Sequence, residues 1–401
     1  MQHVRVPNIS VCVVAKNAER TYKRLFDSLR EFADRRGDMV LVDTGSTDDT
    51  RAIYEAFGFR VFPVGDKFQI RIPKEIADAI NSKAKNLGDP EFIEEGASLF
   101  NFAAARNYAA QLALNNYVIN PDADEALTSF DIDAVEKMFS QFNRFRYDFV
   151  FSHNPDGTPS HEFVTDTRAS DRRYWKWSGH VHETNKAISD KAVMGYVPPS
   201  VFKVEHWQVP SPTRSNYLSG LAYACSIEPE NDRNSHYLAR ELMYRKYYAS
   251  AISEFKRHID MNGWPEERSQ SWCYMGDCLL AQGNEVEALS CWHKAFDVCG
   301  TRREPLLRSA GYYYRKDDHQ RAAAYAAASL EIQKNAFYGN IRQNYRSYPH
   351  EILYWAKWWL GDKEGSKKHW KTALALSPDN PKYVKDAEFY GGYDGNNIQQ
   401  G

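Results

Sequence analysis

Short apolar runs and amphipathic stretches alternate through the first 120 residues. Residues 9–14 read ISVCVV, an apolar, β-branched run that predicts a strand buried on both faces. The following TYKRLFDSLREFADRR places Tyr22, Leu25, Phe26, Leu29 and Phe32 on one side of a 3.6-residue repeat and predicts a helix. Residues 39–42 (MVLV) repeat the strand signal and run into the turn-rich DTGSTDDT. A second helix (RAIYEAFG) and a third strand (FRVFPV) follow. Residues 65–100 form an insertion without a clear assignment. FNFAAARNYAAQLAL then predicts a helix, and NYVINPDADEAL a strand entering an acidic turn. Repetition of strand and helix predicts a parallel α/β sheet, with ligands at the C-terminal ends of its strands.

From about residue 213 the pattern turns all-helical and repeats. Trp272, Gly276, Leu279, Gly283, Ala288, Trp292 and Ala295 have the order and spacing of a 34-residue tetratricopeptide unit, with small residues where two helices cross. Shifted registers give Ala239, Ala251 and Phe255 before it, and Ala356, Trp359, Gly361, Trp370, Ala373 and Pro378 after it. A degenerate unit lies around GYYYRKDDHQRAAAYAAASLEI. The expected organisation is an α/β domain over 1–212, a helical-repeat domain over 213–390 and a flexible tail over 391–401. An unrelated helical bundle is the plainer alternative.

A length of 401 residues suits two or three domains, and 43% apolar with 26% charged residues excludes a disordered or collagen-like chain. Net charge is −2, divided as −5 over the first 230 residues and +3 over the rest, which is no footprint for nucleic acid. No run approaches the ~20 apolar residues of a membrane span, and the N-terminal residues lack the apolar core of a secretion signal. The six cysteines form no CxxC pair and no zinc-type spacing with histidine. They read as buried thiols of a reducing compartment, so a cytoplasmic protein is expected.

Three clusters follow the proposed strands: Ala15 to Glu19, Asp43 with its turn, and Asp122-Ala123-Asp124. Singly, each has a bland reading as a helix cap or an acidic turn. Together, in this order, they suit a diphosphate ligand. Asp122 and Asp124 repel a diphosphate unless Mg2+ or Mn2+ sits between them. Asp43 suits a hydrogen bond from a base imide, and Arg106 suits the phosphates.

VCVVAKNAE, LVDTGSTDDT, FNFAAARNYA and NPDADE resemble the motifs of inverting family-2 glycosyltransferases of GT-A fold, over about residues 8–208. The resemblance implies a nucleotide-sugar donor, UDP-linked by preference, held by Ala15, Asn17, Glu19 and Asp43. It further implies that Asp122 and Asp124 hold metal and diphosphate, with Arg106 assisting. Thr44 stands where many members carry a second acid, and Lys16 where an aromatic is common. Similar enzymes carry a W…G-x-[VI]-H-E segment near the acceptor, matched here by YWKWSGHVHETN. It makes Glu183 the candidate base, with His182 beside it. The competing role for Glu183 is a loop-ordering pair with Arg172 or Arg173. His206 is a candidate third metal ligand, against a structural role at a domain junction. Trp175 and Trp177 suit either sugar stacking or the core.

The layout is similar to the sublancin-type peptide S-glycosyltransferases. The resemblance implies a hexosyltransferase acting on a saccharide, peptide or other acceptor, and the helical repeats also suit a homodimer contact. Two alternatives stand beside it: a non-catalytic scaffold whose repeats hold a peptide, and a phage-type transferase acting on a modified DNA base, for which the charge gives no support.

Overall fold

The computed structural model describes residues 5–153, 164–207, 217–333 and 342–390. It divides into two compact units, one of residues 1–77 and 93–224, the other of 78–92 and 225–401. The boundary expected at 212/213 and the expected tail at 391–401 lie outside the described residues. Among the described residues, no helix is long and apolar enough to cross a membrane. All six cysteines are free thiols, five of them buried.

The first unit opens with β1 (Ile9–Ala15), α1 (Tyr22–Asp34), β2 (Asp38–Asp43), α2 (Thr50–Phe57) and β3 (Arg60–Pro63), as the periodicity predicts. The unassigned stretch supplies β4 (Gln69–Arg71), α3 (Lys74–Asn86) and β5 (Ser98–Phe100), with β4 and β5 paired as a separate antiparallel ribbon. Next come α4 (Phe102–Leu112) and β6 (Tyr117–Ile119). β6 runs into the acidic turn, as expected, and β7 (Glu125–Phe130) begins after it. The chain continues with α5 (Ile132–Phe139), β8 (Arg144–Val150), β9 (Val164–Asp171), β10 (Trp175–Ser178), β11 (Thr184–Ala187), β12 (Met194–Tyr196), β13 (Phe202–His206) and α6 (Tyr217–Ile227).

The main sheet runs β3-β2-β1-β6-β9-β8-β13-β7, with β12 also on β8. Its first four strands are parallel. β9 then pairs antiparallel with both β6 and β8, so the sheet is mixed where the sequence predicts a parallel one. Strand alternation builds both layers of the core. Ile9, Val11 and Val13 with Met39 and Leu41 face Leu25, Phe26, Leu29 and Phe32 of α1. Cys12, Val40 and Val42 face the alanines of α4, whose small side chains let helix and sheet approach closely. Each large α1 side chain contributes about 1.5–3 kcal/mol by this burial.

The second unit consists of antiparallel helix pairs: α7 (Asp232–Tyr244) with α8 (Tyr248–Asp260), α9 (Pro265–Ala281) with α10 (Glu285–Val298), α11 (Glu304–Arg315) with α12 (His319–Leu330), and α13 (Tyr348–Trp359) with α14 (Lys363–Leu376). α15 (Pro381–Lys385) closes the series. The pair α11/α12 is the unit whose sequence looked degenerate. Each hairpin turns through one left-handed residue, Lys246, Gly283, Asp317 and Gly361 in order, directly before the N-cap of the second helix. Residues 78–92 join this unit: Asp89 Oδ2 accepts the Ser250 N–H at 2.6 Å, and Phe92 stacks on Tyr247. Sequence patterning did not predict that excursion.

Candidate active site

The parallel order carries the loops after β1, β2 and β6 to one edge of the sheet. Chain progression also reverses between β1 and β6, the switch point where open α/β sheets bind ligands. Ala15 and Asp43 are register partners at that edge, and the Ala15 carbonyl accepts the Thr44 N–H at 2.9 Å. Asn17 sits at φ 53°, a left-handed position that asparagine tolerates. Its N–H donates to Ser46 Oγ (2.9 Å) and its Oδ1 accepts the Thr47 N–H (2.8 Å). The Glu19 N–H donates to Asp48 Oδ2 at 3.3 Å, and Glu19 Oε2 accepts the Asp49 N–H at 3.4 Å. Asp43 is 1% exposed and accepts the Ser46 N–H at 3.1 Å, with Arg51 Nε 3.9 Å away. These bonds knit the two loops together and leave Asn17 and Glu19 at the surface.

After β6, both oxygens of Asp122 meet guanidinium groups. Oδ1 accepts from Arg106 Nη2 at 2.9 Å and Oδ2 from Arg168 Nη1 at 2.5 Å. Arg168 also binds Glu125 Oε1 (2.7 Å) and Asp166 Oδ2 (2.8 Å), while Glu125 Oε2 accepts the Asp122 N–H at 2.8 Å. Burial pushes the Asp122 carboxyl up, but the Arg106 and Arg168 charges outweigh it and hold the acid below its usual range. Glu125 goes the other way: burial lifts it above the usual range despite Arg168.

Arg106 is buried, and its guanidinium also lies over the Trp177 ring. Its Nε donates to Glu183 Oε1 at 3.1 Å, so one side chain joins the D-A-D turn to the HVHE segment. Glu183 stands in the loop between β10 and β11, and its oxygen Oε2 has no hydrogen bond among the described residues. The alternative pairing does not form. Arg173 is bound to Asp171, and Arg172 donates to carbonyls at the end of α4. His182, left-handed at φ 51°, bonds to the Tyr217 hydroxyl. Trp175 and Trp177 are both buried: the Trp177 indole N–H donates to Asn120 Oδ1 beside Arg106, while that of Trp175 donates to Asn143 Oδ1 just before β8, away from the acidic turn. Both rings thus take the core position, the second of the two expected roles.

His206 ends β13 beside Asp124. Its Nδ1 faces the Phe151 carbonyl at 3.1 Å and its Nε2 faces Asp124 Oδ2 at 3.0 Å. A proton on Nδ1 directed at the carbonyl fixes the tautomer and turns the Nε2 lone pair on a carboxylate. That arrangement is stable with a proton or a cation between the two groups. Of the two, the Asp124 carboxylate is the donor suited to Mg2+ or Mn2+, whereas an imidazole such as His206 suits softer divalent ions. Asp122 does not join them, because both its oxygens are taken by arginines. Among the described residues, no three or more His, Cys, Asp or Glu side chains gather as a metal site.

Sequence reasoning missed Arg168 and Glu125. Glu125 directly follows the D-A-D and was visible as a neighbour. Arg168 carries no local signal: it enters through the antiparallel register of β9 on β6, where the Asn120 N–H donates to the Arg168 carbonyl at 3.0 Å. Trp207 is a further support. Its N–H donates to the Asp124 carbonyl at 2.9 Å, and its ring lies between Arg24 and His153.

Residues 10–68, from the second residue of β1 to the residue before β4, match the model of glycosyl transferase family 2. An uncharacterized glycosyltransferase of Rickettsia conorii is 25% identical over 183 residues, 44% of this chain and 52% of the relative. One of Rickettsia felis is 24% identical with the same coverage. The chain spans about half the length of the curated relatives it matches. Among solved structures, MamA shares 12% identity over 45% of this chain and 87% of that one, with a TM-score of 0.33. The type IV pilus biogenesis factor PilW shares 12% over 43% and 74%, with a TM-score of 0.36. Residues 10–68 thus resemble family-2 glycosyl transferases, and the helical hairpins of the second unit follow later in the chain.

Proposed function

We propose that this chain is an inverting glycosyltransferase that moves a hexose from a UDP-linked sugar to a saccharide or peptide acceptor, using Mn2+ or Mg2+. The observation that carries the reading is the Arg106 bridge, which holds Asp122 and Glu183 at the edge where the β1 and β2 loops also lie. On this reading Ala15, Asn17 and Glu19 border the nucleotide, and Asp43 accepts a hydrogen bond from the base imide N–H. Asp124 and His206 would hold the cation, which supplies charge neutralisation at the leaving diphosphate.

Arg106 and Arg168 keep Asp122 ionised and fixed, and so set the turn that presents Asp124. Arg106 occupies Glu183 Oε1 and leaves Oε2 to act as base. The acceptor's hydroxyl or thiol gives its proton to Oε2 as its lone pair bonds to the anomeric carbon. The bond from that carbon to the diphosphate oxygen breaks, its electron pair leaves with the nucleoside diphosphate, and attack from the opposite face inverts the centre. His182, held by Tyr217, positions the loop that carries Glu183.

Nucleoside diphosphate release from UDP-hexose in the presence of Mn2+ tests the proposal. Glu183→Gln should lower turnover by about 10²–10⁴-fold, the usual contribution of a general base, with an unchanged melting temperature. Wild-type turnover in this variant would remove Glu183 from the chemistry.

A further inference from the structure

The hairpin α13/α14 keeps large apolar side chains outside its core. In α13 (YPHEILYWAKWW) the helical period turns Ile352, Leu353 and Ala356 inward, into one cluster with Leu307, Ala310 and Ala322. Trp359 and Leu360 fall outside that stripe at the end of the helix and are 62% and 51% exposed. The tip that carries them is a fixed turn. The Leu360 N–H donates to the Ala356 carbonyl at 3.0 Å and the Asp362 N–H to the Lys357 carbonyl at 2.9 Å, with Gly361 left-handed at φ 85°. Apolar side chains scattered singly over a surface are ordinary, but these two are not alone. Trp358 directly precedes them, and Phe389, 53% exposed, meets the Trp358 ring at 71° with centroids 6.0 Å apart.

The charge beside this patch has one sign. α14 carries Lys363, Lys367, Lys368 and Lys371 against Glu364, a net +3 that equals the charge of the whole chain after residue 230. Lys363, Lys367 and Lys371 recur at every fourth residue and so follow one side of the helix. Among the described residues, none of the four lysines has a carboxylate within ion-pair distance. Lys363 Nζ instead donates to the Trp358 carbonyl at 3.0 Å and lies over the Trp358 ring. The acid at the tip, Asp362, is already matched by Lys357 Nζ at 2.7 Å.

We propose that this hairpin docks the protein peripherally on an anionic lipid surface, with Trp359 and Leu360 entering the interface and the α14 lysines set against the headgroups. Tryptophan settles at headgroup level, and a lysine stem lies along apolar surface while its ammonium group reaches anionic lipid. Both halves of the patch are used by such a partner. A polynucleotide would engage the lysines and leave Leu360 and Phe389 without a role. A second copy meeting the same patch about a two-fold axis would set like charges against each other. The inference is independent of the transferase reading.

The test is co-sedimentation of the full chain with vesicles of phosphatidylcholine and of an equal mixture with phosphatidylglycerol. Binding to the anionic vesicles should be at least about tenfold tighter and should weaken with added salt. Each lysine near such a surface contributes about fivefold, so Lys367→Gln with Lys371→Gln should weaken binding by about 25-fold. Lys256→Gln with Lys294→Gln, which removes the same charge from α8 and α10, should leave it within about twofold. Trp359→Ala with Leu360→Ser should weaken binding by about tenfold or more at an unchanged melting temperature, and should reduce the quenching of tryptophan fluorescence by brominated lipid. Equal binding to the two vesicle types would overturn the proposal. So would equal losses in the two lysine pairs, or full binding in Trp359→Ala with Leu360→Ser. Dimerisation without vesicles that the tip substitutions abolish would assign the patch to a second copy and also overturn it.

Discussion

Replacing Arg168 by Met removes the one cation shared by Glu125, Asp122 and Asp166. The three losses do not add equally. Glu125 is 1% exposed at its side chain and has no second ion pair among the described residues, so its loss weighs most. Asp122 retains Arg106, and both it and Asp166 are a quarter to a third exposed, where solvent reduces an ion pair to a fraction of a kcal/mol. Stranding one partner of a buried pair costs about 3–5 kcal/mol, and because burial already lifts Glu125 to about 7 it can take up a proton instead, so the low end of that range is the expected total. Arg168→Lys restores a charge but not a planar fork for three acceptors, and should recover only part of the loss. Glu125→Gln placed on Arg168→Met removes the stranded anion and should recover about 1–2 kcal/mol, within the coupling expected of contacting residues. Because the chain has two units, native-state hydrogen exchange on peptides from β6, β7 and β9 is the suitable assay, since it reads this region alone. A loss under ~1 kcal/mol, or no recovery with Glu125→Gln, would refute the clamp.

Asp38 should matter for stability and not for donor binding. At the opposite edge of the sheet it accepts from Ser10 Oγ (2.6 Å), Arg60 Nη2 (2.7 Å) and the Leu114 N–H (2.7 Å), so Asp38→Ala should cost about 3 kcal/mol or more in denaturant melts. The helical unit should weaken in mild acid. Burial, then the neighbouring His258, holds His236 well below its ordinary value, and burial with His350 brings His369 down to about 4. The unfolded chain takes up these protons near pH 6.5 while the folded chain does not. Stability is therefore full above that pH and falls as pH drops towards 4, by about 1.4 kcal/mol per pH unit for fully buried His236. An opening free energy in α7, taken from exchange corrected for the intrinsic rate at each pH, that stays constant between pH 7.5 and 5 would contradict this.

What the sequence disclosed follows from the range over which each signal acts. β1 and β2 are unbroken apolar runs buried on both faces, so their identity is local and so is the position of the loops after them. The hairpins of the second unit repeat their small residues and their turns, which made even the degenerate pair α11/α12 traceable. Residues 125–207 were largely opaque, because β7 to β9, β12 and β13 take their places through pairings across the sheet, and β10 with β11 forms a ribbon apart from it. The β9 register that delivers Arg168 to Asp122 is such a pairing. For the same reason D-A-D could be read as a metal motif, while the two arginines that occupy its first carboxylate could not be foreseen from spacing. Trp175 and Trp177 fit a stacking platform until the indole partners Asn143 and Asn120 are in view.

The central claim is that the edge formed by Asp43, Asp124 and His206 binds a nucleotide sugar together with a divalent cation. Thermal shift of the full chain with UDP-, GDP-, dTDP- and CMP-sugars, each with and without Mn2+, tests it directly, because a ligand of the native state raises the melting temperature by mass action. The account predicts stabilisation by UDP-hexose only when Mn2+ is present, and its loss in Asp124→Ala. No shift with any donor, or an equal shift in Asp124→Ala, would contradict it.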